Sequence, residues 1–203
     1  MRTAYTIVGI SILIIAGTWA YLRFMPAPGP AAGDEQEQAQ NKNSNTTPMN
    51  PSPVLPFSLK SSAFTHGMPI PAAYTCEGAN SPPPLTISGI PAGAKSLVLV
   101  MHDPDVPKEL VPEGVFYHWI IYNIPPDGSL KGAPGANNRD ELAYTGPCPP
   151  GNYEPTTHRY IFTLYALSGR LNFMKPPTAE DVIEAVKGMT IGEAELIGTY
   201  SRK

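Results

Sequence analysis

Residues 96–102 read SLVLVMH, a continuous apolar run that ends in a histidine. Such a run predicts a central β-strand that is buried on both faces. Two later stretches, 117–124 (YHWIIYNI) and 159–167 (RYIFTLYAL), are rich in the aromatic and β-branched residues that favour strands. Residues 85–88 and 194–200 are shorter strand candidates. The sequence therefore predicts a β-rich domain.

The proline content supports the same fold class. The 203 residues include 25 Pro and 18 Gly, and each interior Pro costs a helix about 3 kcal/mol, which argues against a helical bundle or a coiled coil. One helix is nevertheless predicted, because Thr178 can cap it, Asp181 follows three residues later, and Gly188 can end it. We expect a mainly β domain of antiparallel sheets with few short helices.

The N-terminus has a different character. Residues 4–22 carry no charge and are rich in Ile, Leu, Val and Ala, and as a helix they would span about 28 Å, close to the hydrocarbon core of a bilayer. Trp19, Tyr21 and Phe24 lie at the end of this stretch, where an aromatic belt is expected. Residues 1–25 are therefore predicted to be a transmembrane anchor, with a cleaved signal peptide as the alternative.

A polar segment separates this anchor from the domain. Residues 26–56 are rich in Pro, Asn, Gln, Ser and Thr and contain no aromatic residue, so they are predicted to be a disordered linker. The domain is predicted to span residues 57–203. A short N-terminal tail before a translocated domain favours an extracytoplasmic location, and secretion after signal cleavage is the alternative.

The charge balance excludes one class of partner. Lys and Arg number 14 against 17 Asp and Glu, which gives a net charge of −3. A protein that binds the phosphate backbone of nucleic acids normally carries a basic surplus, so we expect no nucleic-acid partner.

Polar side chains gather at the ends of the predicted strands. Asp103 and Asp105 follow the first long strand, and His118 lies near the start of the next. Antiparallel pairing would bring the end of one strand beside the start of the other, so Asp103 and His118 should share one rim of the sheet. His158 opens the third long strand, and Tyr160, two residues later, lies on the same face.

A proline-rich loop precedes His158. In the segment 146–151 (GPCPPG) only Gly146, Cys148 and Gly151 can donate a backbone hydrogen bond. A rigid loop with few donors beside two imidazoles could receive an anion such as a phosphate group. The alternatives are that each His simply packs, that Asp-Pro-Asp is only a turn, and that the loop only stiffens the chain.

At these residues the chain resembles the phosphatidylethanolamine-binding protein family, and more closely its bacterial and archaeal branch of Raf kinase inhibitor-like proteins. The matching segments run in family order over about residues 57–202: YTCEG at 74–78, SPPPL at 81–85, DPDVP at 103–107, HW at 118–119, NIP at 123–125, YTGPCPP at 144–150, HRY at 158–160 and AELIGTY at 194–200.

The resemblance implies a central antiparallel sheet packed on a smaller one, with a pocket for anions or phosphorylated head groups at one rim. It assigns a set of ligand-binding residues to that pocket: Asp103, Asp105, His118, His158, Tyr160 and the loop from Gly146 to Pro150. Cis peptide bonds near the pocket are also expected, with Pro83 and Pro150 as candidates. Glu154 lies in a stretch that is slightly longer than is usual in the family and could reach the rim.

The two cysteines, Cys76 and Cys148, both lie in segments that carry the resemblance. In an exported domain they could form a disulfide between two loops. Two unpaired buried thiols are the alternative.

Three functions remain open on the sequence. The first is a membrane-tethered, non-catalytic module that binds a small phosphorylated or anionic ligand. The second is a protease or kinase inhibitor that acts through exposed proline-rich loops. The third is a hydrolase or metal enzyme, because two His and a carboxylate are metal-ligand types, but the chain lacks the GxSxG, HExxH and GxxxxGK[ST] patterns. We expect a non-enzyme without a cofactor.

Overall fold

The computed structural model describes residues 55–202 of the chain. The predicted anchor, residues 1–25, lies outside the described residues, as does the predicted linker, residues 26–56, apart from its last two residues. Among the helices of residues 55–202, none combines the length and the apolar character that a membrane span requires.

Residues 55–202 form seven strands and two short helices. In chain order they are β1 (Ser58–Ser61), a 3-10 helix (Ala72–Tyr74), β2 (Leu85–Ser88), β3 (Ser96–Asp103), β4 (Phe116–Ile124), β5 (Ala133–Gly135), β6 (His158–Leu167), α1 (Ala179–Val186) and β7 (Thr190–Tyr200). A five-stranded sheet has the order β5-β4-β3-β6-β7, and β1 pairs with β2 in a second sheet. Every pairing between these strands is antiparallel, as predicted.

Strand β3 lies at the centre of the larger sheet and is buried on both faces, which confirms the interpretation of SLVLVMH. Leu97, Leu99 and Met101 belong to a core that also includes residues of β1 and β2. Val98 and Val100 belong to a second core on the opposite face, beneath α1. Because successive side chains of a strand point to opposite faces of the sheet, the single apolar run of β3 contributes residues to both cores.

The predicted helix is present with the predicted cap. Thr178 Oγ1 accepts a hydrogen bond from the backbone N–H of Asp181, and the Asp181 carboxylate accepts one from the backbone N–H of Thr178. This reciprocal arrangement is a capping box. Val182 and Val186 of α1 are buried against the sheet.

Two short strands, β1 and β5, were not predicted from the sequence. The connection 125–157 is rich in Pro and Gly, a composition that favours loops, but it contains β5, which pairs with β4. Pro134 in β5 argues against a strand in the sequence, yet β5 is an edge strand, where a proline removes no ladder hydrogen bond.

The expectation of cis peptide bonds before Pro83 and Pro150 is wrong. Within residues 55–202 the cis bond lies between Glu154 and Pro155. The cis and trans forms before proline differ by only about 1 kcal/mol.

Candidate functional site

The ends of the three central strands form one rim of the larger sheet. Asp103 is the last residue of β3 and pairs with Phe116 at the start of β4, while His158 is the first residue of β6. Because β3 is antiparallel to both neighbours, its end lies beside their beginnings. The predicted juxtaposition of Asp103, His118 and His158 is present.

A cavity of about 260 Å³ opens at this rim. Its lining combines the polar residues of the strand ends with apolar residues of the loop after β3 and with the proline-rich loop: Asp103, Val106, Pro107, Leu110, Val111, Phe116, His118, Arg139, Gly146, Cys148, Pro149, Pro150, His158 and Tyr160.

Asp103 and His158 form a buried hydrogen-bonded pair in this cavity. Asp103 Oδ2 lies 2.7 Å from His158 Nδ1, and Asp103 Oδ1 accepts a hydrogen bond of 2.8 Å from the backbone N–H of Asp105. Burial raises the pKa of the Asp103 carboxyl, and the hydrogen bond from His158 acts in the opposite direction. Both carboxylate oxygens are thus engaged within the protein, and the Nδ1 atom of His158 is directed to Asp103.

Two polar atoms of the cavity are buried without a partner. Within the described part of the chain, neither His158 Nε2 nor the Tyr160 hydroxyl has a hydrogen-bond partner. Both residues are 0% exposed and both line the cavity. Burial, and then the charge of Asp103, raise the pKa of the Tyr160 phenol, so this hydroxyl keeps its proton at neutral pH.

His118 is held by the backbone of Thr145. Its Nδ1 lies 2.7 Å from the Thr145 carbonyl oxygen, and the Thr145 N–H donates to the His118 carbonyl at 3.0 Å. The ring packs against Phe116 and edge-on against Tyr160, with centroids 4.7 and 5.2 Å away. Burial lowers the pKa of His118 to about 4, so the imidazole is neutral at physiological pH.

Asn137 organises the loop that carries Arg139 to the cavity. Asn137 Oδ1 accepts hydrogen bonds from the backbone N–H groups of Arg139 and Glu141, and its amide donates to Thr145 Oγ1. Sequence reasoning missed Asn137, Arg139 and Thr145, because their positions at the cavity depend on the conformation of a loop. An asparagine in a polar loop is the one signal that could have pointed to this turn.

The structure places Asp105 away from the cavity lining. Its carboxylate accepts hydrogen bonds from the Arg159 backbone N–H, from Nε and from Nη2, at 2.8, 2.9 and 2.7 Å. The hydrogen bonds from the Arg159 side chain lower the pKa of Asp105. Along β6, His158 and Tyr160 face the cavity, whereas Arg159 between them faces the other way. A ligand-binding role for Asp105 stays a prediction.

Gly146 and Pro150 both line the cavity, but the loop offers fewer donors than expected. The Gly146 N–H donates to Asn80 Oδ1 at 2.8 Å, and Gly151 is not part of the lining. A Cβ at position 146 would lie 2.6 Å from the Tyr74 carbonyl oxygen, so only glycine fits there. Glu154 is exposed and is also absent from the lining, because its carboxylate accepts from the Thr156 N–H.

A disulfide between Cys76 and Cys148 ties the proline-rich loop to the segment around the 3-10 helix. The two Cα atoms are 5.4 Å apart, and the Cys76 N–H also donates to the Pro147 carbonyl at 3.1 Å. One wall of the cavity is therefore attached covalently to a distant part of the sequence. Over residues 55–202, no three His, Cys, Asp or Glu side chains converge as metal ligands.

Comparison with known proteins identifies relatives of this domain. A curated UPF0098 protein of Methanothermobacter thermautotrophicus is 43% identical over 158 residues, which cover 71% of this chain and 99% of the relative. A candidate lipoprotein of Mycobacterium tuberculosis, LppC, is 38% identical over 154 residues, which cover 71% of this chain and 72% of the relative.

A solved structure has the same fold. The crystal structure of CT736 from Chlamydia trachomatis, described as a phosphatidylethanolamine-binding protein homologue, superposes with a TM-score of 0.68 at 40% identity. The match covers 73% of this chain and 99% of CT736. The family profile described as phosphatidylethanolamine-binding protein matches residues 60–201. The chain therefore belongs to the phosphatidylethanolamine-binding protein family.

Proposed function

We propose that residues 57–203 form a non-catalytic binding domain whose rim cavity holds a small anion, such as the phosphoryl group of a head group. The observation that carries the proposal is the pair of buried polar atoms, His158 Nε2 and the Tyr160 hydroxyl, that lack partners among the described residues. A buried polar group without a hydrogen bond costs about 1–3 kcal/mol. A ligand that supplies the missing partners recovers this energy.

The charges around the cavity favour an anion. Arg139 is the only Lys or Arg among the lining residues, and no carboxylate pairs with it within the described part of the chain. The nearby carboxylate of Glu141 accepts instead from Thr145 Oγ1 and Asn137 Nδ2. The one lining carboxylate, Asp103, is engaged by His158. The guanidinium of Arg139 is thus available to a negative ligand.

The proposal includes attachment to a membrane with the domain on the extracytoplasmic side. The uncharged stretch of residues 4–22 and the linker that follows support a tether. The similarity to LppC, described as a candidate lipoprotein, supports the same location, and so does the disulfide, since disulfides persist in oxidising compartments.

Calorimetry of the full-length chain with inorganic phosphate tests the binding proposal. Tyr160→Phe removes only the unpartnered hydroxyl and should weaken phosphate binding about tenfold, as expected for one hydrogen bond to a charged group. Tyr165→Phe, on the same strand but in the core beneath α1, is the matched control and should bind like wild type. Absence of heat with the wild-type chain would overturn the proposal.

A second candidate function is inhibition of a protease or kinase, as the term Raf kinase inhibitor-like implies. The observation that favours it is the loop 151–157 beside the cavity, where every residue except Tyr153 is exposed. Such a loop could dock against a partner without involving the cavity. If inhibition is the function, Tyr160→Phe inhibits a target protease as well as wild type does, and shortening this loop abolishes inhibition.

A further inference from the structure

The hydrogen-bonding role of His118 is determined by the backbone. Its Nδ1 lies 2.7 Å from the carbonyl oxygen of Thr145. A carbonyl can only accept, so Nδ1 carries a hydrogen and donates it. In the neutral ring the other nitrogen, Nε2, then has a lone pair and no hydrogen. Among residues 55–202 this Nε2 has no hydrogen-bond partner, and the ring lines the cavity.

The surroundings of His118 keep its ring neutral. The side chain is almost fully buried, and the charged or titratable groups around it include Arg139, His102 and His158, each of which disfavours a second proton on the ring. The Tyr160 phenol is uncharged, and the Asp103 carboxylate is already engaged by His158. With its pKa lowered to about 4, His118 presents an acceptor to the cavity at neutral and mildly acidic pH.

Donors line the cavity from other elements: Tyr160 lies on β6, which β3 separates from the strand of His118, and Arg139 lies in the loop after β5. Among residues 55–202 the Tyr160 hydroxyl has no hydrogen-bond partner, so it can donate its proton into the cavity. His158 contacts Asp103 through Nδ1, at 2.7 Å from Oδ2, and its Nε2 also has no hydrogen-bond partner among the described residues. The rings of His118 and Tyr160 lie edge to face with centroids 5.2 Å apart. His118, Tyr160 and Arg139 all line the same cavity, so one small group in it can contact the acceptor and the donors together.

We infer that the cavity selects a singly protonated oxyacid, in particular the monoanion of a phosphomonoester. This inference rests on the proposed anion-binding function and specifies its ligand class. The P–OH group of such a ligand donates to His118 Nε2, while its other oxygens accept from the Tyr160 hydroxyl and the Arg139 guanidinium. An oxyanion without a proton, such as a sulfate ester or a phosphodiester, would direct an oxygen lone pair at the lone pair of His118 Nε2.

Methyl phosphate and methyl sulfate provide a matched pair of ligands. At about pH 5 methyl phosphate is mostly a monoanion, because the second pKa of a phosphomonoester is about 6. Both ligands then carry about one negative charge, and only the phosphate carries a proton. In calorimetry of the full-length chain we expect methyl phosphate to bind at least about tenfold more tightly, the value of one hydrogen bond to a charged group. Dimethyl phosphate should bind as weakly as methyl sulfate.

Replacing His118 tests the role of its Nε2 directly. The amide of His118→Gln can rotate to donate or to accept, so the preference for methyl phosphate should fall to about twofold or less. The exposed His66 does not line the cavity, and His66→Gln should keep the wild-type preference. If the His118→Gln variant fails to fold, the affinities of the wild-type chain for methyl phosphate and methyl sulfate still test the inference.

The outcomes separate this inference from the proposed function. Methyl sulfate that binds the wild-type chain as tightly as methyl phosphate would overturn the inference and leave anion binding intact. Absence of heat with both ligands would overturn the proposed function, and this inference with it. An unchanged preference in His118→Gln would show that His118 does not select the proton.

Discussion

The carboxylate of Asp103 and the imidazole of His158 form a buried pair, with Oδ2 and Nδ1 2.7 Å apart across β3 and β6. The side chains are 3% and 0% exposed, so this contact forms in a region of low dielectric. It also fixes the ring of His158 with its other nitrogen available to the cavity. The pair thus contributes to the stability of the sheet and to the chemistry of the site.

Asp103→Asn should lower the free energy of unfolding by about 2 kcal/mol, because it replaces the carboxylate acceptor of a buried hydrogen bond with a neutral amide. Urea denaturation measures the change. Asp127→Asn is the matched control, since Asp127 and Asp103 each accept a hydrogen bond from the backbone N–H two residues later, but only Asp103 contacts a histidine. If the free energy of unfolding fell equally in the two variants, the contact between Asp103 and His158 would contribute nothing to stability.

The stability of the domain should fall as the pH is lowered from about 6.5 to about 4. Burial lowers the pKa of His118 from its usual 6.5 to about 4 in the folded state. In this interval the unfolded chain binds a proton at His118 that the folded chain does not bind. Stability therefore changes by about 1.4 kcal/mol per pH unit from this residue. Denaturation of wild type and His118→Gln across this range should give a steeper slope for wild type, and parallel slopes would contradict the prediction.

Loss of the disulfide should destabilise the domain. Cys76 and Cys148 are separated by 72 residues, and cross-linking a loop of this length stabilises by about 4 kcal/mol in the entropy model. We expect the Cys76→Ala/Cys148→Ala variant to unfold at a markedly lower urea concentration. Wild type in a strong reductant should shift by the same amount, whereas the double variant should not respond to the reductant. Alkylation of both thiols in wild type without prior reduction would refute the disulfide.

Asp105 should stabilise the attachment of the loop after β3 to the start of β6 without affecting ligand affinity. The pair with Arg159 is bidentate but partly exposed, with 55% of the Arg159 side chain accessible, so a double-mutant cycle should give about 1 kcal/mol. The exposed Glu184–Lys187 pair of α1 is the comparison and should give less than about 0.5 kcal/mol. Phosphate affinity of Asp105→Asn should stay within about twofold of wild type. A large loss of affinity would place Asp105 among the ligand-binding residues.

The parts of the site that follow from strand geometry could be predicted from the sequence. The period of two placed His158 and Tyr160 on one face, and antiparallel pairing placed Asp103 beside the start of the next strand. These inferences succeed because β3, β4 and β6 are long apolar strands whose positions in a sheet leave few alternatives.

The parts that depend on loop conformation could not be predicted. The partner of His118 is the carbonyl of Thr145, and every residue has a carbonyl, so the sequence contains no signal for this contact. Arg139 reaches the cavity through a turn organised by Asn137. The family resemblance assigned Asp105 to the ligand-binding residues, but in the structure its carboxylate pairs with Arg159. The partners of these side chains depend on contacts between segments that are far apart in the sequence, and local sequence patterns do not show such contacts.

Strand β6 begins with His158, Arg159 and Tyr160, whose side chains alternate between the cavity and the opposite face. A deletion or insertion of one residue at this point would exchange the faces, so that a guanidinium replaced the two aromatic side chains in the cavity. In the neighbouring exposed loop, residues 151–157, the addition or removal of one residue would not exchange two faces of a strand. Homologues of this chain should therefore vary in length before His158 but keep an invariant count of residues from His158 to the end of the strand.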